Sequence, residues 1–159
     1  MRYHNITKDD MLNGDGLRVV LWVAGCTHRC PGCQNPMTWD PDDGLVFDDA
    51  AKKEIFEQLD KDYVSGITFS GGDPLHENNV REIDAFVDEI REKYPDKTIW
   101  IYSGYTYEYL KSSDKEPDVL RKNLVEKCDV FVDGPFIEAL KDSSYHWAGS
   151  TNQNVIHIR

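Results

Sequence analysis

Two kinds of apolar pattern alternate along this chain, and the alternation constrains its fold more than any other feature. Near-continuous apolar runs, typical of buried strands, occupy residues 18–24, 66–70, 97–102 and 129–132, and residues 154–158 are a fifth candidate. Between these runs, apolar residues recur at offsets of three, four and seven, as on one face of a helix. Such alternation predicts an α/β fold, a parallel sheet or partial (βα) barrel with mostly parallel strands. We therefore expect ligand sites at the carboxyl ends of the strands.

The helical segments have recognisable start signals. Residues 48–61 have an apolar stripe, with Asp48 or Asp49 as the cap. A second helix begins near Asn79, and Glu82 three residues later has the spacing of a capping box. Two further helices are predicted from a capping residue and an early proline, at Thr106 and Pro117.

Length and charge limit the classes of protein to consider. With 159 residues, of which 40% are hydrophobic, we expect one domain that spans residues 1–159. The net charge of −11 repels nucleic acid phosphates and anionic membrane surfaces, so neither is an expected partner. No apolar segment approaches the roughly 20 residues that cross a bilayer, and no signal peptide is evident. We expect a soluble cytoplasmic protein.

The loop after the first predicted strand contains three cysteines, Cys26, Cys30 and Cys33. Pro31 and Pro36 oppose a helix here, so a loop folded around a metal is the better interpretation. Structural zinc sites close four ligands around the ion, and an iron-sulfur cubane normally takes four thiolates. Three cysteines therefore leave one coordination position open.

The fourth cysteine keeps an alternative open. Cys128 precedes an apolar run, which is typical of a small buried side chain, and the cysteine layout is poor for a disulfide framework. If either His28 or Cys128 joined the three cysteines, the site would close around zinc. The chain would then be a non-enzymatic zinc-binding interaction module.

Polar residues and glycines follow the other predicted strands. Gly71 and Gly72 bring bare backbone to the end of the second strand, and Asp73 adds an acceptor for an ammonium group. Alone this sequence favours a tight turn, but beside a three-cysteine loop it favours a ligand site. Ser103 and Asp133 follow the next two strands, where helix capping and turn formation are equally good explanations.

A cysteine motif of spacing Cys-x3-Cys-x2-Cys, followed about forty residues later by Gly-Gly-Asp-Pro, resembles the radical S-adenosylmethionine enzymes. More narrowly, the chain resembles the family of activating proteins of anaerobic ribonucleoside-triphosphate reductases. The segments that resemble this family are residues 13–18, 30–35, 70–76, 132–134 and 147–153. The resemblance covers almost the whole chain.

The resemblance implies a fold of the radical S-adenosylmethionine type and two cofactors. A [4Fe-4S] cluster would bind to Cys26, Cys30 and Cys33, and its remaining iron would bind the amino and carboxylate groups of S-adenosylmethionine. The residues that the resemblance assigns to this second cofactor are Gly32, Cys33 and Gln34 for the adenosyl part, and Gly71, Gly72 and Asp73 for the methionyl amino group.

The implied activity is the generation of a glycyl radical on the large subunit of the reductase. A one-electron donor such as a flavodoxin reduces the cluster, S-adenosylmethionine is cleaved, and the 5′-deoxyadenosyl radical abstracts hydrogen from a glycine of the partner. An activase of another glycyl-radical enzyme, of the pyruvate formate-lyase type, or a small radical synthase remains an alternative. Asp15, Pro135 and Ala148 depart from the family pattern, which leaves the partner less fixed than the chemistry. The tail Gly149–Gln153 marks the subfamily without an assigned role.

Overall fold

The computed structural model describes residues 1–26, 28, 39–142 and 147–159. The strands are β1 (Arg2–Asp10), β2 (Arg18–Val23), β3 (Leu45–Val46), β4 (Gly66–Gly71), β5 (Thr98–Tyr102), β6 (Val130–Asp133) and β7 (Asn154–His157). The helices are α1 (Asp49–Leu59), α2 (Val80–Lys93), α3 (Tyr107–Ser112) and α4 (Glu116–Lys127), with a 3-10 turn at Glu138–Leu140.

All these strands belong to one mixed sheet with the order β3-β1-β2-β4-β5-β6-β7. The four central strands β2, β4, β5 and β6 are parallel. β1 pairs antiparallel with both β2 and β3, and β7 pairs antiparallel with β6. The expectation of mostly parallel strands is therefore confirmed for the centre and corrected at both flanks, where β1 and β3 had not been predicted.

The two faces of the sheet are covered differently. Alternate residues of β2, beginning with Val19 and Leu21, pack with the four helices in the main hydrophobic core. The opposite face has a small cluster around Trp100, against which Trp147 packs with ring centroids 5.6 Å apart and an interplanar angle of 74°. Alternation along a strand produces this division, since successive side chains point to opposite faces.

Three of the predicted helix start signals are confirmed. Asp48 accepts a hydrogen bond from the backbone of Ala51 and caps α1, Thr106 caps α3 in the same way, and Pro117 lies in the first turn of α4. Each arrangement satisfies or avoids a backbone N–H that has no partner inside the helix.

The predicted start of α2 is confirmed, since the helix begins at Val80, but the capping box predicted for Asn79 is wrong. Its side chain makes no capping bond and instead donates to the carbonyls of Ala24 and Asp73, at 2.8 and 3.0 Å. Glu82 contacts the amino group of Met1 at 2.6 Å. Buried carbonyls need a donor more than the exposed first turn of a helix does, because water can satisfy the latter.

A buried arginine makes hydrogen bonds across the amino ends of the central strands. Arg18 is 1% exposed and donates five hydrogen bonds, to the Thr68 hydroxyl, the Thr98 hydroxyl and the carbonyls of Asp15, Ile67 and Thr98. Burial lowers the pKa of its guanidinium to about 10, while nearby acidic groups oppose that shift. The side chain thus joins three adjacent strands at one end of the sheet.

Among the residues that the structure describes, every helix is too short or too polar to cross a membrane.

Candidate functional site

The cysteine loop begins where β2 ends. The backbone N–H of Cys26 donates to the carbonyl of Trp39 at 3.1 Å, so the two ends of the loop lie side by side. Cys26 is partly exposed. The predicted site residues Cys30, Gly32, Cys33 and Gln34 lie outside the described residues.

The glycine turn after β4 is attached to the same strand end. Gly72 donates to the carbonyl of Val23 at 2.8 Å, and the backbone N–H of Asp73 donates to the carbonyl of Gly25 at 2.6 Å. Gly71 has φ +101°, and a Cβ there would lie 2.6 Å from the Val23 backbone. Only glycine allows two backbone segments to approach each other this closely. The structure therefore brings Cys26 and the Gly71–Asp73 turn together, as the sequence predicts.

Asp73 is the centre of the polar contacts at this end of the sheet. Its carboxylate is 1% exposed. One oxygen accepts a hydrogen bond from the Leu75 N–H at 2.8 Å, and the other accepts from the Ser103 hydroxyl at 3.0 Å and the Gly104 N–H at 3.1 Å. Buried carboxylates need such partners, because an unpaired charge in the interior is strongly unfavourable. Asp73 thus joins the ends of β4 and β5, and Ser103 acts here as its partner.

His28 is the residue that sequence analysis missed. Its Nε2 lies 2.7 Å from Asp73 Oδ2, although the ring N–H does not point straight at that oxygen. The imidazole also meets Tyr105 edge to face, with ring centroids 4.8 Å apart. From the sequence, His28 is a candidate only as a possible zinc ligand. Nothing in the spacing signals a partner 45 positions further along the chain.

Comparison of the sequence with known proteins finds clear relatives. Residues 12–156 match the family described as a 4Fe-4S single cluster domain. The anaerobic ribonucleoside-triphosphate reductase-activating protein of Escherichia coli K12 is 40% identical over 161 residues, which cover 100% of both chains. Proteins of the same name from Haemophilus influenzae and from Enterobacteria phage T4 are 39% and 37% identical, over 99% and 98% of this chain and 97% and 93% of theirs.

The chain belongs to the anaerobic ribonucleoside-triphosphate reductase-activating protein family.

The described part of the site fits the iron-sulfur cluster of this activating-protein family. Cys26 provides a thiol at the end of a buried parallel strand, with the side-chain-free backbone of Gly71 and Gly72 beside it. Thiolates are the ligands that iron-sulfur clusters take, and Cys30 and Cys33 supply two more in the sequence. The described residues alone contain no group of three metal-binding side chains, since these two cysteines are outside them.

Cys128 does not close a zinc site with Cys26. It is fully buried at the end of α4, where its thiol contacts the Leu124 carbonyl at 3.4 Å. This position precedes β6, whereas Cys26 follows β2, so about 20 Å of parallel strand separates the two levels. Burial raises the pKa of the Cys128 thiol to about 12, which disfavours the thiolate that a metal needs. The expectation of a small buried side chain is confirmed.

Asp133, at the end of β6, holds neighbouring elements together. It is 3% exposed. One carboxylate oxygen accepts from the Tyr107 N–H at 2.8 Å, and the other accepts from the Asn154 N–H at 3.1 Å. These bonds connect β6 to the start of α3 and to β7.

The family-marker tail Gly149–Gln153 has a structural role. The side-chain oxygen of Gln153 accepts from the N–H groups of Gly149 and Ser150 at 2.9 and 3.0 Å, and its nitrogen donates to the carbonyl of Gly134 at 2.9 Å. Asn152 donates to the next carbonyl along the chain at 2.8 Å. The tail therefore fastens the segment after β6 to the start of β7, and its polar side chains are used within the fold.

Proposed function

We propose that this chain activates anaerobic ribonucleoside-triphosphate reductase by generating a glycyl radical on the large subunit, through S-adenosylmethionine bound at a [4Fe-4S] cluster. The observation that supports this most strongly is the full-length similarity, at 40% identity, to an activating protein of that reductase. The adjacency of Cys26 and the glycine turn supports the assignment of both cofactors to one place.

The proposed ligands follow the sequence assignment. Cys26, Cys30 and Cys33 hold the cluster, the backbone around Gly32, Cys33 and Gln34 contacts the adenosyl group, and Gly71, Gly72 and Asp73 face the methionyl amino group. Held by these residues, the cluster would supply the electron for reductive cleavage of S-adenosylmethionine, and S-adenosylmethionine would supply the radical chemistry directed at the partner's glycine.

Asp73 contributes a fixed negative charge to this arrangement. Its carboxylate is held by backbone and hydroxyl donors from two strand ends, so its position does not depend on a ligand. A buried carboxylate of this kind favours an ammonium group, and the low local polarity strengthens the attraction. The two glycines beside it let a ligand approach the backbone.

The remaining elements of the proposal concern the molecule as a whole. We place the site in a single domain, residues 1–159, of the radical S-adenosylmethionine partial-barrel type, supported by four parallel strands whose helices pack on one face. A cytoplasmic protein that receives electrons from a donor such as a flavodoxin fits this chemistry. The net charge of −11 argues against nucleic acid as a further partner.

Anaerobic reconstitution tests the proposal directly. The protein, supplied with iron and sulfide, should turn brown and, when reduced, convert S-adenosylmethionine to 5′-deoxyadenosine. Coexpression with a candidate reductase should yield a glycyl radical detectable by electron paramagnetic resonance. Cys30→Ala should abolish colour, cleavage and radical, whereas the matched control Cys128→Ala should retain all three, since Cys128 lies at the other end of the sheet.

Three results would contradict parts of the proposal. A colourless protein that holds one zinc ion would support the interaction module instead. Cleavage without a radical on any reductase would refute the partner, and a radical on an enzyme of the pyruvate formate-lyase type would identify the alternative activase.

A further inference from the structure

The imidazole of His28 occupies a pocket built from three separate segments. Its side chain is 19% exposed, and its Nε2 lies 2.7 Å from the buried carboxylate of Asp73. The imidazole and the Tyr105 ring meet edge to face, and the guanidinium of Arg121 lies 4.4 Å from the centroid of the Tyr105 ring. Aromatic and cation–π contacts of this geometry fix ring orientation as well as adding stability.

The pocket also has a steric requirement. A Cβ at Gly104 would lie 2.5 Å from ring carbon Cδ2 of His28, which is closer than real carbon contacts. The N–H of Gly104 donates to the same Asp73 oxygen that faces His28. Position 104 therefore accommodates the imidazole by lacking a side chain and stabilises the carboxylate through its backbone.

The Arg121 side chain anchors the outer wall of this pocket. It donates to the carbonyl of Leu75 at 2.7 Å and to Asp118 at 2.9 Å, so it connects α4 to the segment after the glycine turn. Burial alone would raise the pKa of Asp118, but hydrogen bonds from Ser113, Tyr109 and Arg121 together lower it below its usual value. A charged carboxylate thus keeps Arg121 in place over Tyr105.

We propose that His28 is a positioning residue that holds the start of the cysteine loop, next to Cys26, against the Gly71–Asp73 turn, so that a cluster and the amino end of S-adenosylmethionine bind side by side. This inference rests on the proposed function. His28 lies between two cysteines of the loop, and Asp73 belongs to the turn that faces the amino group. Their contact is a direct side-chain connection between the two halves of the proposed cofactor site.

Binding measurements on reconstituted full-length protein test this role without relying on turnover. His28→Phe keeps an aromatic ring against Tyr105 but removes the polar contact with Asp73. It should retain iron and sulfide, because the cysteines are unchanged, and bind S-adenosylmethionine roughly tenfold more weakly in anaerobic equilibrium dialysis. His28→Gln, whose amide can still make a polar contact with Asp73, should lose clearly less. The change that S-adenosylmethionine causes in the paramagnetic resonance spectrum of the reduced cluster should shrink in the same order.

A steric double mutant checks that the ring itself is responsible. Gly104→Ala should weaken S-adenosylmethionine binding in the wild-type background and have little further effect in a His28→Ala background, where the ring is gone. Unchanged affinity in His28→Phe would overturn the inference, as would an equal loss in His28→Gln or a Gly104→Ala effect that persists without the ring.

The exposed His157, at the far flank of the sheet, provides the matched control. His157→Gln should bind both cofactors like the wild type. If the wild type and this control took up neither cluster nor S-adenosylmethionine, the proposed function would fail. If both bound normally and His28→Phe did too, only the inference about His28 would fail.

Discussion

Two buried charged side chains, Arg18 at the amino ends of the parallel strands and Asp73 at their carboxyl ends, serve different purposes. At the amino ends, Arg18 directs all of its hydrogen bonds to carbonyls and hydroxyls of the sheet and its adjoining loop. At the carboxyl ends, Asp73 gathers donors from two strand ends and also contacts His28 of the cysteine loop. Arg18 joins strands of the sheet to one another, whereas Asp73 connects the sheet to the proposed site.

The largest expected effect is on the framework end. Arg18→Met should lower the free energy of unfolding by about 3 kcal/mol, because several buried oxygens lose their donor at once. Urea unfolding of the cluster-free protein measures this loss. Arg18→Lys, which keeps the charge but not the planar fork, should lose less stability and still bind S-adenosylmethionine normally after reconstitution.

The exposed Arg81 on α2 offers a matched control for that experiment. Arg81→Met should change the free energy of unfolding by no more than about 0.5 kcal/mol. If Arg18→Met were equally mild, or if Arg18→Lys folded well but lost cofactor binding, the two ends of the sheet would not divide their roles as we describe.

The site end should respond in both stability and binding. Asp73→Asn places an amide where Oδ2 accepts from Gly104, so two donors face each other, and we expect a loss of about 2 kcal/mol in unfolding free energy. S-adenosylmethionine binding should fall as well, because the negative charge is removed. Asp96→Asn, at an exposed position, is the control for the loss of one charge. Normal cofactor binding by Asp73→Asn would break the comparison.

The smallest effect concerns the buried Cys128, at the amino ends of the strands. Burial raises the pKa of Cys128 from 9.0 to about 12, so the folded state holds this proton more tightly than the unfolded state does. That contribution to stability is complete below about pH 9 and is lost as the pH rises towards 12. Between pH 8 and pH 10 the wild type should therefore lose about 1 kcal/mol more than Cys128→Ala.

Denaturation curves of both proteins at the two pH values measure that difference. An equal alkaline loss would show that Cys128 does not titrate as a buried thiol. In the native protein at neutral pH, Cys128 should also stay unmodified by iodoacetamide and should react only after unfolding in urea.

The sequence predicts the central strands because their burial on both faces produces continuous apolar runs. β1 has no such pattern, since Ile6 is its only buried residue and partners on both sides hold the strand in place. The wrong capping prediction for Asn79 has a similar cause. Its capping pattern is local, but its side chain bonds to Ala24 and Asp73, which only the folded chain brings near.

The candidate site also has a part that the sequence predicts and a part that it does not. Cys26 and the Gly71–Asp73 turn are predictable because both follow strands of one parallel sheet, whose ends must meet. The contacts of His28 depend on how one side chain of the loop enters a pocket formed by the segments after β4 and β5 and by α4. No periodicity or spacing in the sequence encodes that contact, so only the three-dimensional arrangement reveals it.

The paired indoles of Trp100 and Trp147 give the protein a built-in optical signal. Two rings this close and this steeply inclined couple their electronic transitions, and the coupling produces circular dichroism in the near ultraviolet. Trp147 lies two residues before the tail that fastens β6 to β7, so the signal should report whether that tail is docked. Spectroscopists could therefore follow the docking of this segment, and any response to a partner, without attaching a dye.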